Sequence, residues 1–148
     1  MTTRADVIDC ARSYLGTPFG HMQRNPGPRG ALDCIGLIVC TMRDLALCMP
    51  DWDVEPYGPV PDGVRMLAEA DRYLLRIERE EMQAGNVVCV QADEHPTHLG
   101  IVGVHPVFGV LSIIHAANNA HPPRVVETRL MFHERCRFVA AFSIPGVV

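Results

Sequence analysis

At Gly85 the sequence changes period, and that change constrains the fold more than any other feature. Before it, apolar residues recur at helical spacing; after it, β-branched residues take over in short runs. Helices first and strands afterwards specify an α+β domain with an antiparallel sheet rather than a doubly wound one. Five runs read as strands, 86–91, 98–104, 110–115, 124–128 and 137–143, joined by segments rich in Pro, Gly, Asn and His. A chain of 148 residues, 48% of them hydrophobic and without internal repeats, is expected to make a single domain, 1–148, with a substantial core.

Three helices are expected ahead of the strands. Val7, Ile8, Ala11 and Leu15 form the first apolar stripe, with Thr3 as N-cap, Asp6 three residues on and Gly16 as the stop. Residues 17–32, TPFGHMQRNPGPRGAL, carry three prolines and three glycines and no period, which marks a long surface loop. The second helix runs from Cys34 to about Leu47 and is apolar nearly all round, so it is expected at the centre of the domain. After a proline-rich connection, Asp62 caps a third. Its inward face is expected to be Val64, Leu67, Ala70, Leu74 and Ile77, with Glu69, Asp71, Arg72 and Arg76 turned to solvent.

Charge and cysteine usage narrow the function. A net charge of −4 without blocks of either sign gives no field for a phosphate backbone, so nucleic acid is not an expected partner. The N-terminal stretch lacks the continuous apolar core of a signal peptide, and no run is long enough to span a membrane. Synthesis in the cytoplasm is therefore expected. Without a secretory context the six cysteines read as reduced; Cys10, Cys40, Cys89 and Cys136 sit in apolar segments as core fillers. No CxxC pair is present. A zinc site built from His95, His98, His115, His121 and Cys34 has only the His95-x-x-His98 spacing in its favour, and neither metal nor cofactor is expected.

The stretch LDCIGLIVC, residues 32–40, places Cys34 at a helix N-terminus behind the N-cap Asp33. Helix-end N–H groups stabilise negative charge, so the thiol is expected to ionise below its usual range. A thiolate nucleophile needs a base, and imidazole has the appropriate pKa. His98 opens one strand and His115 closes the next. A hairpin turning near residues 106–108 brings them to the same end of the sheet, sharing a face if paired residue numbers add to an odd value, as when His98 lies opposite His115.

LGTPFGH in the loop, DCIGL at the helix start, AGNVV at the first strand, THLGIVG and IIHAA together resemble the successive signatures of the NlpC-type cell-wall cysteine peptidases. The likeness runs from Ala5 to Phe142 and is nearest to the branch found with phage tails and gene transfer agents. It implies a compact papain-like fold, the nucleophile helix packed on an antiparallel sheet of five to six strands. It further implies hydrolysis of peptide bonds in peptidoglycan stem peptides, with Cys34 as nucleophile, His98 as general base and then acid, and His115 as the orienting third residue. Phe19, His21, Asp33 and Trp52 are the expected substrate contacts, Asp33 also as helix cap and Trp52 also as a lid over the core.

Three positions depart from the family pattern: Phe19 where a tyrosine is common, Ile35 where serine is common, and Asn86 in place of an aspartate. The first two bear on substrate preference. The resemblance also implies stem peptides and other phage tail proteins as partners, and a particle-borne route to the wall. Against this stand two other classes: a tail-assembly or binding module of the same fold, and a thiol acyltransferase or amidase with another substrate.

Overall fold

The computed structural model describes residues 1–60, 62–92 and 95–148, with residues 95–97 described by their backbone alone. Helix α1 spans Arg4–Ser13 and begins with a capping box in which Thr3 and Asp6 hydrogen-bond reciprocally. A two-stranded ribbon, β1 (Arg24–Asn25) and β2 (Ala31–Leu32), interrupts the long loop. Helix α2 (Cys34–Asp44) follows directly, with Gly36, Leu37, Ile38, Val39, Cys40, Thr41 and Met42 all buried. It ends three residues short of the expected Leu47, because Ala46 takes a left-handed conformation (φ 54°) and turns the chain out of the helix.

Helix α3 (Gly63–Tyr73) is capped by Asp62 as expected, but Leu74 is extended and Leu75–Ile77 forms strand β3. The helical reading of Leu74 and Ile77 is thus corrected: their spacing fits a helix, yet β3 gains a ladder by pairing with the last strand. Leu67, Ala70 and Leu74 do pack on the core, so the expected inward face holds except at its first turn. Val64 is 83% exposed, while Glu69, read as a solvent residue, lines an apolar cleft.

After a short 3-10 turn at Arg79–Glu81 come β4 (Val87–Ala92), β5 (His95–Val104), β6 (Leu111–Ala117), β7 (Arg124–Arg129) and β8 (Cys136–Ser143). They form one antiparallel sheet of six strands in the order β3-β8-β4-β5-β6-β7. Strand alternation sorts the core into two parts. Val87, Leu99, Ile101, Ile114, Ala116, Val125 and Phe142 face the helices and pack with Val7, Ala11, Leu37, Ile38 and Ala70. Val88, Val90, Val102 and Ile113 face the other way, under Met82, Phe132 and Phe138. Burying apolar surface on both faces leaves β4 and β5 no freedom to slip by one residue, since a slip would exchange the two sets. All six thiols are free.

Candidate active site

The site is set at the end of the sheet where β5 begins and β6 finishes. Its first component is the start of α2. Asp33 is 4% exposed, and its Oδ1 accepts the Gly36 N–H at 2.7 Å, which caps the helix. That leaves the N–H groups of Cys34 and Ile35 turned to the Cys34 sulfur, joined there by the N–H of Leu99 on β5. Gly36 permits this packing: a Cβ there would lie 2.5 Å from the Gln23 carbonyl oxygen.

The second component is the β5–β6 hairpin. Ile101 pairs with Ile114 and Val102 with Ile113, so paired numbers do add to an odd value. Continuing that register places His115 beside Gly100 rather than directly opposite His98, one diagonal step away. Diagonal neighbours are within reach of ring side chains. His98 Nε2 lies 2.6 Å from His115 Nδ1, with the rings edge to face at 4.8 Å between centroids. Burial lowers the His115 pKa to about 4, so this imidazole is neutral at physiological pH. A neutral His115 with its own proton on Nε2 presents Nδ1 as an acceptor for an N–H from His98.

Cys34, His98 and His115 all line one cavity of about 150 Å³, together with Phe19, His21, Asp33 and Tyr57. The expected thiol pKa is corrected. Burial first, and the charge of Asp33 second, push the Cys34 pKa up to about 11, outweighing the backbone N–H groups that favour the thiolate. Helix-end stabilisation is worth only about 1 kcal/mol and is local, whereas removing a thiolate from water costs more. The thiol on its own is therefore protonated at rest.

Of the expected substrate contacts, Phe19, His21 and Asp33 border this cavity and Trp52 does not. Trp52 packs edge to face on Tyr73 at 4.9 Å and lines the neighbouring cleft. The Asp33 carboxylate is fully engaged: besides Gly36 it accepts the Met22 N–H at 2.7 Å, Arg24 Nη1 at 3.1 Å and the Tyr57 hydroxyl. Arg24 and Tyr57 carry no sequence signal of their own. Arg24 also donates to the Tyr57 oxygen at 2.9 Å and to Asp53 at 3.0 Å, which ties the 51–60 segment to the start of α2. Asn86 is buried and its Oδ1 accepts the Gln83 N–H at 2.8 Å, a structural role within its turn. The side chain of His95 lies outside the described residues. Among those described, no group of three His, Cys, Asp or Glu side chains is placed to hold a metal ion.

Neither a family model nor a curated protein sequence matches the chain. A solved structure described as the NlpC/p60 domain of the peptidoglycan hydrolase SagA superposes with a TM-score of 0.61 at 18% identity, covering 97% of this chain and 100% of that one. The α+β architecture described above is thus a papain-like fold of the NlpC/p60 kind.

Proposed function

We propose that this protein is a cysteine peptidase of the NlpC type that hydrolyses amide bonds in peptidoglycan stem peptides. The observation that carries the reading is the His98–His115 contact inside the cavity that also holds Cys34 at a helix start. In this reading Cys34 Sγ attacks the substrate carbonyl as its proton passes to His98 Nδ1, the ring nitrogen not engaged with His115. The imidazolium that results donates from Nε2 to the neutral His115. The backbone N–H groups of Cys34 and Ile35 are the candidates to hold the oxyanion. His98 then gives its proton to the departing amine, leaving an acyl thioester. Water, deprotonated by His98, attacks the thioester; the carboxylic acid leaves and the thiol is restored.

A resting thiol held protonated requires that proton transfer accompany attack, so the base acts on bound substrate rather than on a standing ion pair. The same fact favours a second reading, a binding or tail-assembly module of the same fold with little activity. Association with a phage tail, which would carry the enzyme to the wall, rests on the resemblance of the five sequence signatures, LGTPFGH to IIHAA, to that branch.

The test is digestion of purified muropeptides followed by mass spectrometry. Cleavage within the stem, lost by at least about 10³-fold in Cys34→Ala, is the expected result. Intact muropeptides with the unaltered protein would exclude the peptidase and leave the binding module or the acyltransferase, and equal cleavage by Cys34→Ala would exclude Cys34 as the nucleophile.

A further inference from the structure

A second cleft, of about 280 Å³, lies between α2, α3 and the 51–60 segment, beside the Cys34 cavity. Ile35, Tyr57, Gly58 and Met66 line both, so a molecule seated at Cys34 extends into the second cleft without leaving the protein surface. Its walls are apolar: Ile38, Met42, Trp52, Met66, Leu74 and Leu99. The outer wall is preformed. Arg43 donates to the Trp52 carbonyl at 2.7 Å and to Asp53 at 3.3 Å, and Arg65 donates to the Pro56 carbonyl at 2.7 Å.

The polar groups of this cleft point to the charge of its ligand. Glu55, Asp62 and Glu69 face it with Arg65 as the cation among them, and Arg65 is already engaged at Pro56. Glu69 Oε2 is buried and has no hydrogen-bond partner among the described residues. A buried acceptor left unmatched is costly, and the group that satisfies it best is an N–H donor, above all a charged one. An apolar cleft with net negative lining and one waiting carboxylate oxygen suits an apolar stem that ends in an ammonium.

We propose that this cleft is a specificity subsite for an amine-bearing apolar group of the molecule whose carbonyl Cys34 attacks, an inference that rests on reading Cys34 as the nucleophile. Glu69 binds the ammonium, and the α2 and α3 side chains take the stem.

Trp52, the only tryptophan in the chain, lines the cleft and reports its occupancy by fluorescence. The probes are n-hexylammonium chloride and 1-hexanol, which share a stem and differ in charge. The ammonium is expected to change Trp52 fluorescence saturably and to bind about tenfold more tightly than the alcohol. Glu69→Gln should remove that preference while leaving hexanol binding unchanged. Ala70→Phe, which fills the cleft, should abolish both responses. Equal binding of the two probes, indifference to Glu69→Gln, or no saturable response would each overturn the proposal.

Because Cys34→Ala should bind both probes as the unaltered protein does, the titration reads the cleft even where no hydrolysis is found. Where hydrolysis is found, Glu69→Gln should raise KM for an amine-bearing substrate about tenfold with kcat little changed. An unchanged KM would overturn the link between cleft and nucleophile.

Discussion

Two oxygens on Asp33 receive four donors, from Met22, Arg24, Gly36 and Tyr57, and so one buried side chain joins the loop before the helix, the helix itself and the 51–60 segment. Asp33→Ala should therefore cost about 3 to 4 kcal/mol in urea unfolding, well beyond the roughly 1 kcal/mol of an ordinary N-cap. The cap itself was legible, because an Asp before an apolar helical run has few other roles. Its remaining partners were not: Tyr57 lies 24 positions away and Arg24 nine, and an isolated Tyr or Arg in a proline-rich stretch signals nothing. The ionisation of the thiol is illegible for the same reason, since helix position is written in the sequence and burial is not. With its pKa raised to about 11, Cys34 ionises only as pH climbs above neutrality. Its rate of alkylation by iodoacetamide should keep rising between pH 7 and 10; a plateau already reached at pH 6 would mean a standing thiolate–imidazolium pair.

Among the elements, the β5–β6 hairpin carries the geometry that the two histidines need, and Gly100 is where it is most tightly drawn. A Cβ at Gly100 would lie 2.4 Å from Ile113 Cγ1 and 2.9 Å from the Ile114 carbonyl oxygen. Gly100→Ala must push β6 away next to His115, at a cost of about 1 to 3 kcal/mol. Unlike a change to either ring, it should lower kcat on muropeptides while both imidazoles remain, which NMR of the histidine ring protons can follow. Helix α3 shows the limit of reading by period. Of the stripe Val64, Leu67, Ala70 and Leu74, the last three pack on the core, while Ala70 and Leu74 also meet the cleft together with Asp62, Arg65, Met66, Glu69 and Tyr73. An apolar stripe locates a buried face only where something covers it, and at Val64, 83% exposed, nothing among the described residues does.

At the scale of the molecule, the architecture was legible because the change of period at Gly85 divides helices from strands. The short β3 was missed because three residues cannot display a period. Global stability should carry the mark of the site. The unfolded His115 titrates near 6.5, whereas the folded ring holds its proton only below about 4. Between those values the unfolded chain binds the extra proton, so stability falls as pH is lowered from about 6.5 to 4, by up to about 3 kcal/mol. Urea midpoints measured across that window should fall more steeply for the unaltered protein than for His115→Gln.

The 51–60 segment, finally, contributes to both clefts and yet belongs to neither the sheet nor a helix; it is moored through Asp53, the Trp52 and Pro56 carbonyls and the Tyr57 hydroxyl. On the proposed function, part of the wall that meets substrate is thereby carried by a stretch separate from Cys34, His98 and His115. A different loop that kept those moorings would leave Cys34, His98 and His115 where they are while reshaping the walls of both clefts, which makes this short stretch the natural place to graft a new specificity.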